Sequence, residues 1–347
     1  MKFVILGHLM KGEDLKMFFP FGKYLPVKLM ETLISFLPAK KSFIKLSHFN
    51  VLGRAEGWML GVALTPWQMM NLPKEKVRAK ILEAVLFAQD KLGAEVLMLG
   101  ALTSPLTSAG LWLKENPKVK LNINNGNTCT AVISIMAAEK AVELANLDFS
   151  TIKMAIVGAA GAIAEPIVKY FHEKGVDLIL IERTKEKFDR LKPCFFRANY
   201  ELSCDISKIK EADVVITATS HPTALIRPDI LKQNAIVVDV AEPHDVPANI
   251  SELRPDVICI DGGRVNWGDI DLKMDLGLPK NIGFACMTDV ILQSLEEKKV
   301  DYIGSVSQEH IQEIRKWLLK WDFRLADFTS FNKPIPIEKF KKIKQSN

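Results

Sequence analysis

The feature that most constrains this chain is a glycine-rich turn between an apolar run and an amphipathic segment. The residues from Met154 to Val157 are apolar, which predicts a buried strand. Glycines follow at 158 and 161, and the apolar spacing then becomes helical through Ile167 and Phe171. A strand, a tight turn and a helix in this order predict the first crossover of a parallel α/β sheet, because Gly158 can take the backbone angles of the turn.

The same turn is predicted to hold the pyrophosphate of a dinucleotide. Free N–H groups at the start of a helix attract phosphate, and Gly161 lets the backbone approach a ligand without a Cβ. Gly175 then ends the helix, and an apolar second strand follows. An ordinary βα turn without a ligand is the alternative. The candidate cofactor contacts in the turn are Gly158, Ala159, Ala160, Gly161, Ala162 and Ile163.

Further candidate cofactor contacts follow later strands. The second strand ends in Glu182, Arg183, Thr184 and Lys185. The glutamate could accept a hydrogen bond from the ribose of NAD, whereas the three residues after it could hold the 2′-phosphate of NADP. Thr219 and Ser220 end another strand, close to where a nicotinamide ring would lie in such a fold. We favour NADPH as the cofactor, with NADH as the alternative.

The rest of the second half alternates strand and helix. Near-continuous apolar runs occur at 213–218, 235–240 and 257–261, as in a buried parallel sheet. We therefore expect the α/β class, with a Rossmann-type doubly wound parallel sheet domain, an amino-terminal α/β substrate domain and carboxyl-terminal helices. The expected boundaries are 1–150 for the substrate domain, 151–283 for the dinucleotide-binding domain, and 284–347 for the last helices and a solvated, partly mobile lysine-rich tail.

Composition excludes several classes of protein. The net charge of +5 is too modest and dispersed to indicate nucleic acid as a partner. No apolar stretch is long enough to span a bilayer, so we expect the cytoplasm as the compartment. The five cysteines, at 129, 194, 204, 259 and 286, are scattered without metal-ligand spacing. We therefore expect no metal site, and composition leaves the oligomeric state open.

The amino-terminal half has one clear helix and two polar turns. Residues 72–93 predict an amphipathic helix that ends at Gly93, and 96–100 predict a buried strand. The polar stretch 101–108 follows that strand, and 124–130 precedes a helix predicted at 131–144. Both turns are either ligand sites or plain connections. They contain Ser104, Asn127 and Thr130, whose side chains could donate hydrogen bonds to a ligand.

A hydrophobic segment lies near the amino terminus. Residues 25–37 are rich in leucine, with Lys28 as their only cation, and Lys40, Lys41 and Lys45 follow directly. Such a segment could touch a membrane surface peripherally or wall an apolar substrate channel. A helix that simply faces the core is the alternative.

Several short motifs also occur in a particular order. They are Ile5–Leu9, Arg78–Ala84, Ala88–Gln89, Gly126–Ala131, the turn at Gly158, Asp261–Gly263 and Phe284–Cys286. In order and spacing the chain resembles the cyanobacterial-type long-chain acyl-[acyl-carrier-protein] reductases, which make fatty aldehydes. The resemblance runs almost end to end.

The resemblance implies a two-step reduction. Cys286 would attack an acyl thioester of acyl carrier protein or coenzyme A and retain the acyl chain as an enzyme thioester. Hydride from NADPH would then release the fatty aldehyde. Both steps form an oxyanion that needs hydrogen-bond donors, and Ser104, Asn127 and Thr130 are the candidates, because each lies in a polar turn next to an apolar element. Position at a helix start suits the role of Cys286, because it favours the thiolate. The other cysteines are expected to be structural, and His8, His221 and His244 could relay protons or be satisfied in place.

Two other functions fit parts of the sequence. A dehydrogenase of the shikimate type shares the two-domain plan and an Arg-Thr pair after the second strand, but it would need a catalytic lysine in the first domain. A module that senses nucleotide or lipid without turnover is the other alternative. In both cases Cys286 would be a small core residue.

Overall fold

The computed structural model describes residues 1–9, 12–18, 24–191, 200–221 and 223–343. Their contacts divide the chain into two compact units. The first unit comprises 1–126, 267–277 and 286–322. The second comprises 127–266, 278–285 and 323–347. The units interleave along the chain, whereas the expected domains are three consecutive stretches.

Strands and helices alternate along most of the chain. The strands are β1 (Lys2–His8), β2 (Phe43–Val51), β3 (Ala55–Val62), β4 (Val96–Leu99), β5 (Asn122–Asn124), β6 (Lys153–Val157), β7 (Asp177–Ile181), β8 (Tyr200–Ser203), β9 (Val214–Thr217), β10 (Ile236–Asp239), β11 (Ile258–Asp261), β12 (Arg264–Asn266), β13 (Ile282–Phe284), β14 (Arg324–Leu325), β15 (Thr329–Ser330) and β16 (Lys333–Pro334). The α-helices are α1 (Val27–Phe36), α2 (Pro66–Asn71), α3 (Lys74–Leu92), α4 (Thr103–Leu106), α5 (Leu111–Lys114), α6 (Asn127–Leu144), α7 (Ala164–Glu173), α8 (Ile250–Leu253), α9 (Ala285–Leu295), α10 (Gln308–Lys320) and α11 (Ile337–Ile343).

The first unit is built on a five-stranded sheet in the order β2-β3-β1-β4-β5. Only β2 runs antiparallel, as the outer half of a hairpin with β3. The sequence offers little sign of this hairpin, because two glycines weaken the β3 pattern. One of them is required by packing, since a Cβ at Gly57 would lie 2.6 Å from the ring of Phe3. The predicted amphipathic helix is confirmed as α3, whose Val77, Ile81 and Val85 are buried.

The second unit contains a six-stranded, all-parallel sheet in the order β8-β7-β6-β9-β10-β11. Numbered within the unit, this is the strand order 3-2-1-4-5-6 of dinucleotide-binding sheets. The first three strands are added toward one edge of the sheet and the last three toward the other, so the order reverses between strands 1 and 4. Helices α6, α7 and α11 pack in one hydrophobic core against this sheet. The expected α/β class with a doubly wound parallel sheet is confirmed.

Two sequence-based expectations in the second unit are wrong. Helix α6 begins at Asn127 and not at 131, so residues 127–130 of the predicted polar turn belong to its first turn. Residues 337–343 form a helix whose Phe340 and Ile343 are buried, although the lysines around them predict a solvated tail. The apolar spacing in this tail is helical, and the core it contacts supplies the stabilisation that a short isolated helix lacks.

Among the described residues, no helix has both the length and the apolar character needed to cross a membrane.

Candidate active site

The glycine-rich turn lies where β6 and β9 end side by side, at the reversal point of the six-stranded sheet. Gly158 has a φ of +76°, and a Cβ there would lie 3.1 Å from the carbonyl oxygen of Ala218. A Cβ at Gly161 would lie 3.0 Å from the carbonyl oxygen of Gly158. Backbone conformation and space therefore both demand glycine at 158, and α7 starts just beyond the turn. Sheets with this strand order bind nucleotides at the strand ends beside the reversal point, so the residues of this turn fit a dinucleotide.

Glu182 joins the end of β7 to the turn. Its buried carboxylate accepts hydrogen bonds from the backbone N–H of Ala160, at 2.8 Å, and from the ammonium of Lys187, at 3.0 Å. The carboxylate is thus occupied inside the protein. By contrast, Arg183, Thr184 and Lys185 are exposed at the same end of the strand.

The end of β9 holds a buried acid. Thr219 donates its hydroxyl hydrogen to Asp245 at 2.7 Å, and Thr217 donates to the second oxygen of the same carboxylate. Burial raises the pKa of Asp245, although these two hydrogen bonds act in the opposite direction. The Thr219 hydroxyl is therefore committed to Asp245, whereas Ser220 is exposed.

A second polar group follows β10 and β11. Nδ1 of His244 lies 3.2 Å from a carboxylate oxygen of Asp239. Asp261 accepts hydrogen bonds from the Thr329 hydroxyl and from the backbone N–H of Phe331, both at 2.7 Å. Burial alone would lower the pKa of His244, but the hydrogen bond and the negative charges around it outweigh burial and raise that pKa. The two hydrogen bonds that Asp261 accepts fasten the β15–β16 hairpin to the sheet.

Cys286 lies in the first unit. It is the second residue of the eleven-residue helix α9, and its side chain is partly exposed. Its backbone packs directly against the loop after β5: a Cβ at Gly126 would lie 2.6 Å from the Cys286 Cβ, and Gly126 has a φ of +71°. Cys129 and Cys259 are buried, and burial raises the pKa of Cys259 well above its usual range. Cys204 is exposed, and Cys194 lies outside the described residues.

A buried polar network holds the loop that contacts Cys286. The Asn124 side-chain oxygen accepts the N–H of Gly126 at 2.7 Å. Its amide group donates to Asp289 and to Gln293, both at 2.8 Å. All three polar side chains are fully buried. Because the Gly126 N–H is engaged by Asn124, this network serves to position the loop.

The network continues to α10. Nε2 of His310 lies 3.3 Å from the Asp289 carboxylate, and the Tyr302 ring stacks on the imidazole at a centroid distance of 3.3 Å. The Tyr302 hydroxyl in turn donates to Glu313 at 2.5 Å. Burial and this carboxylate partner raise the pKa of Tyr302. Side chains from α10 and the end of β5 are therefore joined to α9, the helix that contains Cys286.

The three candidate oxyanion donors fall in different places. Ser104 is partly exposed in α4, which follows β4, the neighbour of β5 in the sheet. Asn127 and Thr130 are in the first turn of α6 and belong to the second unit, and Thr130 is buried. Their expected placement in a loop before the helix is wrong, because α6 starts at Asn127.

The sequence did contain a signal for the network. Asp289 and Gln293 are polar residues spaced four apart in an otherwise apolar helix, which predicts that they share one face. Buried polar side chains need partners, so this spacing indicates a polar group on another element. The partner, Asn124, is distant in the sequence and is shown only by the fold.

Lys80 is a buried lysine of the first unit. Its ammonium donates to the carbonyl oxygens of Leu37 at 2.8 Å and Ile34 at 3.4 Å, and to the Ser42 hydroxyl at 2.5 Å. Burial, and then the charge of Lys76, lower its pKa to about 8. An ammonium has three protons. Two are donated here to carbonyl oxygens at the end of α1 and the third to Ser42.

Replacing Lys80 should therefore affect stability. We expect Lys80→Met to lower the free energy of unfolding by about 2 kcal/mol, because buried carbonyl oxygens lose their donor. The folded-state pKa of Lys80 lies below that of the unfolded chain, so the wild type should gain stability relative to this variant as pH rises from about 8 to about 10. Urea unfolding across this range measures both effects. Lys74→Met, at the exposed start of the same helix, is the control; equal stability of the two variants would contradict the capping role.

Comparisons with known proteins place these features among reductases and dehydrogenases. A family model described as Shikimate / quinate 5-dehydrogenase matches residues 137–261. The long-chain acyl-[acyl-carrier-protein] reductase of Synechococcus elongatus is 28% identical over 248 residues, which is 68% of this chain and 71% of the relative. The relationship is distant. Glutamyl-tRNA reductase of Methanococcus maripaludis is 26% identical over 224 residues, which is 61% of this chain and 55% of that relative.

Among solved structures, shikimate dehydrogenase 1 of Peptoclostridium difficile aligns with a TM-score of 0.39 and 12% identity, over 92% of this chain and 98% of that chain. The sequence relatives and the matched family support a nicotinamide-dependent oxidoreductase. The family match covers all six strands of the parallel sheet and none of β1 to β5.

Proposed function

We propose that this protein reduces a long-chain acyl thioester to a fatty aldehyde, with NADPH as the reductant and Cys286 as the nucleophile. One observation carries the proposal: a partly exposed cysteine stands in the first turn of an eleven-residue helix. The N-terminus of a helix stabilises a thiolate, which is the nucleophilic form. The distant relative named as an acyl-[acyl-carrier-protein] reductase supports the same substrate class.

The proposed reaction has two steps. The Cys286 thiolate attacks the carbonyl carbon of the acyl thioester, the bond to the carrier sulfur breaks, and that sulfur leaves and takes up a proton. NADPH, when bound, supplies the hydride for the second step. The carbon–sulfur bond to Cys286 then breaks, the aldehyde leaves, and the restored thiolate is ready for another turn. Acyl carrier protein or coenzyme A would be the acyl donor.

Both steps develop negative charge on the acyl oxygen, which needs hydrogen-bond donors. The Gly126 N–H is engaged by Asn124 and is not one of our candidates. Ser104 is the preferred candidate, because it follows β4 beside the strand that leads to Gly126. Asn127 and Thr130 are the further candidates.

The preference for NADPH is supported by the end of β7. Glu182 is occupied by Ala160 and Lys187, whereas Arg183 and Lys185 are exposed and can pair with a 2′-phosphate. We expect Arg183→Ala combined with Lys185→Ala to raise the KM for NADPH about tenfold or more and to leave the KM for NADH nearly unchanged. Steady-state kinetics with each coenzyme measure the difference. Lys210→Ala, an exposed lysine of the same unit, is the control; an equal rise for both coenzymes would contradict 2′-phosphate binding.

Trapping the acyl-enzyme tests the proposal directly. The protein is incubated with palmitoyl coenzyme A or palmitoyl-acyl carrier protein in the absence of NADPH and is then analysed by intact-mass and peptide mass spectrometry. We expect one palmitoyl group on the peptide that contains Cys286, released as aldehyde when NADPH is added. Cys204→Ala, which removes the exposed cysteine, should load normally. Acylation at another residue, or none with either donor, would overturn the proposal.

The family match to residues 137–261 favours a second candidate, a dehydrogenase of a small hydroxy acid. That function needs a catalytic lysine in the first unit. Lys80 is the buried lysine among the described residues of that unit, and its ammonium is hydrogen-bonded to the end of α1 and to Ser42. Oxidation of shikimate or quinate by the wild type, unaffected by Cys286→Ala, would favour this candidate.

A further inference from the structure

Helix α1 has apolar side chains on two faces. Met30 and Ile34 point inward and are fully buried. Leu29, Leu33 and Phe36 form a second stripe at helical spacing, and their exposed fractions are 45%, 44% and 76%. A helix that only packs on a core needs one apolar face. The outer stripe therefore calls for a separate explanation.

Helix α2 lies beside α1 and has exposed apolar side chains of its own. Trp67 is 65% exposed and Met70 is 51% exposed, on one side of the helix. Two hydrogen bonds fasten α2 to α1: Gln68 donates to the carbonyl oxygen of Glu31 at 2.8 Å, and the Thr65 hydroxyl donates to the Glu31 carboxylate at 3.0 Å. The two helices are therefore neighbours, and we call their exposed apolar side chains the α1–α2 face.

Positive charge accompanies the α1–α2 face. Between residues 24 and 45 the chain has four lysines and one acid, Glu31, which is already hydrogen-bonded to Thr65. The four lysines, and Lys74 at the start of α3, are exposed. The ammonium of Lys76 lies 5.2 Å from the centre of the Phe36 ring. Exposed apolar side chains accompanied by exposed lysines complement a surface that is apolar inside and negatively charged outside.

We propose that the α1–α2 face docks on the surface of a bilayer that contains anionic lipids. Leucine, phenylalanine, methionine and tryptophan side chains would enter the interface, and the lysines would pair with lipid phosphates. A second copy of the chain is a poorer occupant, because it would bring lysines against lysines. This inference is independent of the proposed catalytic activity.

Vesicle flotation with the full chain tests the proposal. Large unilamellar vesicles are made of phosphatidylcholine alone or of phosphatidylcholine mixed with phosphatidylglycerol. We expect flotation with the mixed vesicles, weaker flotation in high salt, and little with phosphatidylcholine alone. Lys40→Glu combined with Lys41→Glu should reduce the bound fraction strongly, since each lysine near an anionic surface contributes about fivefold to partitioning. Lys91→Glu combined with Lys118→Glu, which changes exposed lysines elsewhere, should float like the wild type.

The apolar contribution is tested separately. Phe36→Ser combined with Trp67→Ser should reduce flotation at least tenfold. Leu319→Ser, at a leucine that is 84% exposed on α10, should have no effect. Thermal melts establish that each variant is folded. The proposal is overturned if the wild type does not float, if control and test variants float equally, or if the Phe36 and Trp67 changes instead abolish a dimer or the binding of purified acyl carrier protein while vesicle binding stays unchanged.

Discussion

Cys286→Ala should lower the rate of aldehyde formation from acyl thioesters by at least about 10⁴-fold, because the acyl group loses its covalent acceptor. Cys286→Ser should be nearly as inactive, since a serine hydroxyl is far less ionised than a thiol at neutral pH. Aldehyde release measured by gas chromatography, together with NADPH oxidation measured by absorbance, gives both rates.

Two measurements separate loss of chemistry from loss of structure. NADPH binding, followed by coenzyme fluorescence, should be unchanged in Cys286→Ala, because the coenzyme contacts we assign are in the turn at Gly158 and after β7. Cys204→Ala should retain full activity, since that cysteine is exposed in the other unit. If the Cys286→Ala protein still forms aldehyde at a rate near that of the wild type, the assignment of Cys286 as the nucleophile is contradicted.

Gly126→Ala should also slow the reaction strongly, for a geometric reason. The new methyl group would lie 2.6 Å from the Cys286 Cβ and 2.9 Å from its Cα, so the loop or the start of α9 must move. A displacement of about 1 Å at a reacting group can cost about 10²-fold in rate. We expect acyl loading of Cys286 to slow by at least this factor, as measured by rapid-quench mass spectrometry.

Gly53→Ala provides a matched control for the backbone. Gly53 has a φ of +69°, almost the same as the +71° of Gly126, but a Cβ at 53 would meet nothing within 4 Å. Both variants therefore bear the same left-handed strain, which costs about 1 kcal/mol. Only Gly126→Ala also has a collision with Cys286. If the two variants load acyl groups at the same rate, contact between the loop and the cysteine is unimportant.

The sequence predicted those parts of the fold whose patterns are local. The strand, turn and helix around Gly158 and the amphipathic helix α3 carry their own periodicity and end signals, and they occur as expected. The β2–β3 hairpin was not predicted, because the need for Gly57 comes from Phe3, which is far away in the sequence. Helix α11 was missed for a similar reason, since its Phe340 is buried by the core of a sheet formed much earlier in the chain.

The candidate site divides in the same way. The glycine-rich turn stands out from the sequence, because a motif is a property of neighbouring residues, whereas Cys286 was singled out by the family resemblance. Asn124 and Asp289 became a hydrogen-bonded pair only when the fold brought β5 beside α9. Sequence spacing also misplaced Asn127 and Thr130 in a loop, because asparagine and threonine favour turns and helix starts alike.

The bonds of Glu182 have a consequence for coenzyme engineering. A designer who wished to convert such a protein to NADH would remove the basic residues after β7 and rely on the adjacent acid to grip the sugar. Here Glu182 already holds the glycine-rich turn through the N–H of Ala160, so turning it outward would loosen the turn to which we assign the diphosphate. If the proposed assignment is right, selectivity for the sugar and rigidity of this turn depend on the same side chain, and a successful conversion would have to supply another hydrogen-bond acceptor for Ala160.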